Sequence, residues 1–205
     1  MLVQPNPEIA LQLMPERAVY WPRLQTLFVA DLHLGRVFPP RTIGATLQRL
    51  QALVEQCLVR RIVFLGDLFH MRQRYHDEVV SPFCDWRMRS PDIDMWLVRG
   101  NHERAMGDPP PACRLQCVAP GTPLDQLLLL HEPRMTTQFA VCAHLHPCVL
   151  LPSQRAVAET AACFVWGAQY LVLPAFEDSV PGRVVARRFD EQYIAIRQHA
   201  LVHLP

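Results

Sequence analysis

The sequence predicts an α/β protein, of the α+β kind, in which two mixed β-sheets pack face to face and helices flank them in four layers. Two features of the chain carry this prediction. In the first half, short runs that are apolar on both faces alternate with a segment of helical periodicity, as in a β-α-β unit. In the second half, the apolar runs are short and bounded by turn residues, which is typical of a further, β-rich sheet.

The first half contains three predicted buried strands and two predicted helices. Apolar residues at helical spacing from Ile43 to Leu58 indicate a helix between the first two strands, with Thr42 as its N-cap. A second helix is expected over residues 77–89, provided that Pro82 lies near its first turn. The strands are TLFVAD (26–31), RIVFLGD (61–67) and DMWLVRG (94–100).

The second half is predicted to be built from strands after residue 112. Each predicted strand is rich in apolar, β-branched or aromatic residues and has a short connection to the next. The runs are RLQCVA (114–119), QLLLLH (126–131), FAVCAH (139–144), AVAETAACFVW (156–166), QYLVLP (169–174), RVVARRF (183–189) and YIAIRQHALVHL (193–204).

Length and composition predict one domain, residues 1–205. A chain of 205 residues with 50% hydrophobic content can form one sizeable core and is short for two. The apolar runs are shorter than a bilayer-spanning helix, and the first ten residues lack the basic and apolar regions of a secretory signal. We therefore expect a soluble, cytoplasmic protein with no membrane contact.

The cysteines are expected to be reduced and mostly buried. Their number, seven, is odd, and no CxxC pair is present. Cys113 and Cys117 form a C-x3-C pair, but a single pair of this kind gives weak support for a zinc site. Buried thiols are the favoured interpretation.

The charge of the chain excludes a general field that would attract nucleic acid. The net charge is +1, and all 20 basic residues are arginine. Contact with DNA or RNA would therefore need a local patch. The arginines between residues 72 and 104 are interleaved with acidic residues, which favours an ordinary solvated surface there.

Residues that can bind a metal follow five of the predicted strands. Because ligands of open α/β sheets lie at the carboxyl ends of the strands, these residues can converge on one site. The residues are Asp31 and His33 after the first strand, Asp67 after the second, Asn101 and His102 after the third, His131 after QLLLL, and His144 and His146 after FAVCA.

The donor chemistry of these clusters favours two divalent ions. Residues two apart in an extended segment share one face, which predicts that both members of each D-x-H or H-x-H pair point to the same site. The set has nitrogen and oxygen donors and no sulfur, which suits manganese, iron or zinc, with Asp67 available as a bridging carboxylate. Gly66 and Gly100 are expected to let the backbone turn sharply beneath the metals. The candidate ligands are Asp31, His33, Asp67, Asn101, His131, His144 and His146.

The order DLH, GD, GNHE, H and HLH resembles the motif set of the calcineurin-like metallophosphoesterase superfamily, DxH, GD, GNH[DE], H and GHxH. Within that superfamily, segments such as VADLHLGR (29–36), FLGDLFH (64–70) and CFVWGAQYLVLPAF (163–176) are similar to the DNA ligase-associated metallophosphoesterases. Ala143 replaces the motif glycine of GHxH, and the segment after DLHLGR is shortened. These departures leave the ligand positions unchanged.

The resemblance implies roles for these residues by motif position. His102 would stand beside the phosphate as general acid or substrate contact, and Asp67 would bridge two metals. Asn101, Arg36, Arg99 and His70 are further candidates for substrate contact, although His70 could instead orient a ligand and both arginines could equally form surface ion pairs. One ion would be held by Asp31, His33, Asp67 and His146, and the other by Asp67, Asn101, His131 and His144.

The resemblance also implies the activity. We expect a phosphoesterase, with a phosphodiesterase favoured, that cleaves a nucleic-acid end, a nucleotide or a small diester by attack of a hydroxide bridging the two ions. It further implies a link to DNA repair, with a DNA ligase and a helicase as functional partners. Hard ligands and availability favour manganese, while the general order of affinities favours zinc, and iron is a further alternative. A phosphomonoesterase and a non-catalytic scaffold are the alternative functions, and a homodimer is compatible with the sequence.

Overall fold

The computed structural model of the chain describes residues 1–37, 43–70, 77–151 and 159–204. The predicted N-cap Thr42 lies outside these ranges. The described residues form sixteen strands in two sheets, three α-helices and two short 3-10 helices (Pro22–Leu24 and Pro111–Cys113).

The first sheet has seven strands in chain order. Its first four strands pair antiparallel, and its last four pair parallel. The strands are β1 (Leu2–Asn6), β2 (Ile9–Met14), β3 (Ala18–Trp21), β4 (Thr26–Val29), β5 (Arg61–Phe64), β6 (Asp94–Val98) and β7 (Gln116–Val118).

The second sheet has nine strands and is also mixed. Its strands β9 and β10 are parallel neighbours, so their carboxyl ends lie at the same edge. The strands are β8 (Thr122–Leu124), β9 (Leu127–Leu129), β10 (Ala140–Cys142), β11 (Pro147–Leu151), β12 (Glu159–Trp166), β13 (Tyr170–Val172), β14 (Arg183–Val184), β15 (Gln192–Arg197) and β16 (Ala200–Leu204).

The helices are α1 (Ile43–Gln56), α2 (Asp77–Met88) and α3 (Asn101–Met106). The apolar stripes of α1 and α2 pack in one cluster with side chains of the first sheet, so these helices cover its outer face. Pro82 does not lie in the first turn as expected, because five described helical residues precede it. Its ring removes the hydrogen bond to the carbonyl of Glu78, which lies on the exposed side of the helix, where water can satisfy that carbonyl.

The central strands of both sheets are buried on two faces, as their apolar runs predict. In β4, Leu27 and Val29 face the helices, while Phe28 lies in the core between the sheets. In β10, Val141 packs in that same core, and its neighbours belong to a third cluster on the outer face of the second sheet. The described residues contribute strands and loops, and no helix, to this third cluster.

The predicted fold class, two packed mixed sheets with flanking helices, is confirmed. Three predicted buried strands and both predicted helices are present, whereas β1–β3, β8, β11 and α3 were not predicted. All seven cysteines are free. Among the residues described, no helix is both long and apolar enough to cross a membrane.

Candidate metal centre

Five of the seven candidate ligands lie in turns just beyond the strands, and their backbone is left-handed instead of extended. The expectation that each pair shares a face of an extended segment is therefore wrong, because both members of each pair have positive φ. Single left-handed residues cost about 1–3 kcal/mol and persist where the surrounding structure over-determines them, often at functional sites. The residues are Asp31 (φ 51), His33 (φ 42), Asp67 (φ 51), His144 (φ 68) and His146 (φ 44).

Hydrogen bonds between the turns hold this backbone in place. The turn after β4 and the turn after β5 pair with each other, since the N–H of Asp31 donates to Gly66 O (3.3 Å) and the N–H of His33 to Asp67 O (3.0 Å). The turn after β10 joins the same group through the N–H of His144, which donates to Asp31 Oδ2 (3.0 Å). The candidate ligands that follow these parallel strands therefore lie together at one edge of the two packed sheets.

One group of ligand atoms surrounds Asp31. His146 Nε2 lies 3.4 Å from Asp31 Oδ1 and 3.4 Å from His33 Nε2. Asp67 Oδ2 lies 3.9 Å from His33 Nε2. Asp31, His33 and Asp67 are buried, while the side chain of His146 is 20% exposed.

A second group of ligand atoms surrounds His131. Its Nε2 lies 3.0 Å from Asn101 Oδ1, 3.0 Å from His144 Nδ1 and 3.4 Å from Asp67 Oδ1. The two carboxylate oxygens of Asp67 therefore face different groups. This is the placement that a bridging carboxylate requires.

Hydrogen bonds on the far side of the imidazoles fix their orientation. His131 Nδ1 donates to the carbonyl of Leu65 (2.7 Å), which directs Nε2 at the ligand group. His33 Nδ1 lies 3.3 Å from His70 Nδ1, so His33 likewise turns Nε2 toward its group. His70 thus contacts a candidate ligand from behind, which is one of the two roles considered for it.

Gly66 and Gly100 allow the turns to pass close to the ligands. A Cβ at Gly66, whose φ is +90, would overlap the imidazole of His131. A Cβ at Gly100 would overlap the carboxylate of Asp67. The expected sharp turn holds for Gly66 only, because Gly100 has an ordinary φ of −88 and is needed for close approach.

Glu103 is a buried carboxylate that the site prediction did not include. Its Oε2 accepts the N–H groups of Asp67 (3.0 Å) and Gly100 (2.8 Å), and its Oε1 accepts that of Leu68 (3.0 Å). It therefore ties the turn after β5 to the start of α3. The available sequence signal was an acidic residue three positions after Gly100, the spacing of a capping box at a helix start.

His102 lies at the open side of the cluster. Its N–H donates to Asp67 Oδ1 (3.0 Å), and its Nε2 lies 3.7 Å from Asp67 Oδ2. The ring is 4.8 Å from the ring of His33 and 4.8 Å from that of His70. Its side chain is 21% exposed, so its imidazole can reach both the ligand groups and a molecule entering from solvent.

The electrostatics of the centre differ strongly among its groups. Burial lowers the pKa of His33 to about 3, so this imidazole is neutral and able to bind a metal. For His131, burial alone would lower the pKa, but the hydrogen bond to Asp67 and its charge outweigh burial and raise the pKa to about 9. Burial would raise the pKa of Asp67, yet His131 and the N–H of His102 hold that pKa below its usual value.

These residues fit divalent metal ions. Asp31 Oδ1 is buried and has no hydrogen-bond partner within the described ranges, an arrangement that would be costly for a carboxylate oxygen without a ligand. It points into a set of imidazole nitrogens and carboxylate oxygens, which are donors that manganese, iron and zinc accept. Two groups beside Asp67 are able to hold an ion: Asp31, His33 and His146, and Asp67, His131 and His144. A third set of close ligand atoms belongs to His33, His70 and His102.

The two arginine candidates lie outside this ligand cluster. Arg99 makes a two-bond ion pair with Asp108, at 2.7 Å for each bond, which matches the surface ion pair considered as its alternative role. Arg36 is exposed, and its N–H donates to His33 O (3.0 Å), so it follows the first ligand turn directly.

The fold and this centre together define a metal-dependent hydrolase. Two packed mixed sheets bring an aspartate and histidine cluster to the carboxyl ends of their parallel strands, and an aspartate lies between two ligand groups. Such a site suits the hydrolysis of phosphate esters, because two cations can neutralise the phosphoryl oxygens and activate water.

Comparison with known proteins identifies the family. Residues 24–147 match the sequence profile of the calcineurin-like phosphoesterases, and the chain belongs to this family. The crystal structure of Pseudomonas putida nuclease MPE is similar to the chain, with 30% sequence identity and a TM-score of 0.86, over 100% of this chain and 99% of that chain. The comparison with curated protein sequences gave no match. These findings support a metal-dependent phosphoesterase.

Proposed function

We propose that the protein is a phosphodiesterase that depends on two divalent ions and acts on nucleic acid, a nucleotide or a small diester. The observation that carries the proposal is the pair of ligand groups on either side of Asp67. One of them contains Asp31 Oδ1, which accepts no hydrogen bond from the residues that the structure describes. The name of the similar Pseudomonas putida protein, a nuclease, supports a diester substrate. Manganese is the favoured ion.

Two sets of residues would each hold one divalent ion. When bound, two divalent ions would supply activated water near neutral pH and neutralise charge on the phosphoryl oxygens. The first ion would be held by Asp31, His33, Asp67 and His146, and the second by Asp67, Asn101, His131 and His144.

His102 would act on the leaving group. Its partly exposed imidazole lies beside Asp67 and outside both ligand groups, so it can donate a proton from Nε2 to a leaving alkoxide. Asn101, as a neutral donor at the same turn, would also contact a phosphoryl oxygen. Arg36 remains a candidate substrate contact because it is exposed next to His33.

A link to DNA repair, with a DNA ligase and a helicase as functional partners in the cytoplasm, is proposed from the sequence similarity to the DNA ligase-associated group. That similarity rests on segments around the ligand motifs, such as residues 29–36 and 64–70, and on segments outside them, such as residues 163–176. The metal centre itself would hydrolyse any phosphodiester that can reach it.

The proposal is tested by hydrolysis of bis-p-nitrophenyl phosphate beside p-nitrophenyl phosphate. Metal-stripped protein is supplied with Mn²⁺, Fe²⁺ or Zn²⁺ in turn, with Asp31→Asn in parallel and Asp108→Asn as a control at an exposed carboxylate. Diester cleavage that needs added metal, exceeds monoester cleavage and disappears in Asp31→Asn alone is expected. Preferential monoester cleavage would make the protein a phosphomonoesterase, and folded protein that is inactive with every metal would favour a scaffold.

A further inference from the structure

A surface on the outer face of the second sheet begins at the metal centre. The parallel pairing of β11 and β14 aligns Pro147 with Arg183, and the N–H of Arg183 donates to the carbonyl of His146 (2.8 Å). Val185, two residues after Arg183, packs against the cluster on the outer face of this sheet. Since side chains two apart in a strand share a face, Arg183 lies on this outer face directly beside a candidate ligand.

A cavity lies beside the candidate ligand His146 and reaches Gly182, the residue before Arg183. It has a volume of about 170 Å³, and its lining includes His146, Cys148 and Gly182. A Cβ at Gly182 would overlap the thiol of Cys148, so glycine is needed for the chain to pass here. The space beside His146 can therefore receive a small part of a bound molecule.

The loop after β14 extends the surface and is held in place by Tyr193. The guanidinium of Arg187 lies over the Tyr193 ring, 5.6 Å from its centroid. The hydroxyl of Tyr193 accepts the N–H of Arg188 (3.0 Å) and donates to Glu191. Arg183, Arg187 and Arg188 thus lie on one stretch of chain that starts beside the metal centre, and Arg187 packs on Tyr193.

This stretch of chain ends in an exposed aromatic ring. Phe189 is fully exposed, at 105% of its reference area. Along the described chain, Arg183 and Arg187 have no carboxylate within ion-pairing distance, and Arg188 has only Asp190, at 3.8 Å. Arginines without a carboxylate partner, next to an exposed aromatic ring, are typical of sites that bind single-stranded nucleic acid.

We propose that Arg183, Arg187, Arg188 and Phe189 bind a single strand of nucleic acid and guide it to the metal centre. The arginines would contact successive phosphates, and Phe189 would stack on a base, which must be unpaired to offer its face. Because the net charge of the chain is only +1, binding of nucleic acid needs a local set of basic residues such as this one. This inference rests on the proposed phosphodiesterase function, whose substrate class it narrows.

The test compares two substrates with matched variants of the full chain. Phe189→Ala and the double variant Arg183→Gln with Arg187→Gln are assayed on a single-stranded oligonucleotide and on bis-p-nitrophenyl phosphate. The controls are Leu58→Ala, another strongly exposed apolar side chain, and Arg60→Gln with Arg89→Gln, two exposed arginines that lie just before β5 and just after α2. Bis-p-nitrophenyl phosphate has one phosphate and no nucleobase, so it has no successive phosphates or base for these side chains to bind.

We expect Phe189→Ala to lower kcat/KM for the oligonucleotide about 5- to 100-fold, through a higher KM, with no change for the small diester. The double arginine variant should do the same. It should also reduce the dependence of log KM on log salt concentration by about 0.7 for each phosphate that an arginine no longer neutralises. Controls should match the unsubstituted protein on both substrates.

Three results would overturn the proposal. Equal cleavage of the oligonucleotide by variants and controls would show that Arg183, Arg187 and Phe189 do not bind it. Cleavage of the small diester in the same experiment would still support the phosphodiesterase function. Equal decreases in kcat/KM for both substrates would mean that the substitutions act on the metal centre and not on oligonucleotide binding. A change in molecular mass by light scattering in Phe189→Ala, with cleavage of the oligonucleotide unchanged, would make the surface an interface between copies of the chain.

Discussion

Glu103 holds the two ligand turns together, and its charge matters because all three of its partners are donors. In Glu103→Gln the amide NH₂ must face at least one of the N–H groups of Asp67, Leu68 and Gly100, which leaves a buried donor unpaired at a cost of about 1–3 kcal/mol. We expect a decrease of about 10- to 100-fold in Mn²⁺ affinity or activity, a typical effect of groups that support metal ligands.

The measurement for Glu103→Gln is Mn²⁺ titration by calorimetry at a temperature where the variant is folded. Glu132→Gln is the matched control, since Glu132 follows His131 directly but is exposed and paired only with Arg104 among the described residues. Unchanged metal affinity in Glu103→Gln, together with a lower melting temperature, would give Glu103 a purely structural role.

His102→Ala separates proton donation from metal binding. If His102 protonates the leaving group, its removal should lower kcat by about 10²- to 10⁴-fold for a diester with an alkoxide leaving group. The decrease should be much smaller for bis-p-nitrophenyl phosphate, because p-nitrophenolate leaves without protonation. Steady-state kinetics on both diesters, with metal content measured alongside, check this prediction. Equal decreases on the two substrates would contradict it.

At the scale of single elements, the sequence predicted the strands that carry the ligands but not the shape of their ends. The runs after Thr26, Arg61 and Asp94 are apolar throughout, and such runs indicate strands buried on two faces. The left-handed turns beyond them depend on hydrogen bonds to distant parts of the chain, which no local pattern encodes. The order of the clusters nevertheless located the candidate ligands.

The strands at the beginning of the chain escaped prediction for a local reason. β1 contains Pro5 and β1 to β3 are short and separated by turn residues, so periodicity is weak. A proline is tolerated in β1 because this strand lies at the edge of its sheet, where an N–H is not needed for pairing. The short helix α3 was hidden because its six residues are mostly polar and contribute only one buried side chain.

Gly66→Ala tests the turn between β5 and Asp67, the proposed bridging ligand. The added Cβ would overlap the imidazole of His131, and φ +90 is strained for alanine. We expect loss of the second metal with retention of the fold, because the strain falls in the turn and outside the core. Metal content by mass spectrometry and far-ultraviolet circular dichroism measure the two effects. Gly44→Ala is the control, since a Cβ there meets no atom within 4 Å. Two bound metals in Gly66→Ala would show that the turn can adjust.

At the scale of the whole molecule, we propose that residues 1–205 fold as one domain. The cluster between the sheets joins Val3 and Ile194 with Phe28 and Leu129, so the two ends of the chain and both sheets share one core. Calorimetry is expected to show a single transition, with equal calorimetric and van't Hoff enthalpies. Two separated transitions would mean that the sheets unfold independently.

Metal binding should stabilise this domain more at pH 9 than at pH 7. In the metal-free protein His131 has a pKa of about 9, above the value of about 6.5 for an unfolded chain. A raised pKa contributes stability that is fully present below about pH 6.5 and is lost as the pH rises through about 9. Metal needs the neutral imidazole, so each pH unit below 9 lowers its affinity about tenfold through this one proton.

The increase in melting temperature on adding Mn²⁺ therefore grows as the pH rises. At 100 times the dissociation constant, one ion contributes about 2.7 kcal/mol, or about 5–10 °C for a chain of this length. Differential scanning fluorimetry without oxygen, with Mn²⁺ or a chelator across pH 6.5–9, measures the difference. His203→Ala is the control, since His203 lies in β16 and pairs with Gln192. If the increase in melting temperature on adding Mn²⁺ does not change with pH, His131 gives up no proton when the metal binds. His131 would then not be a metal ligand.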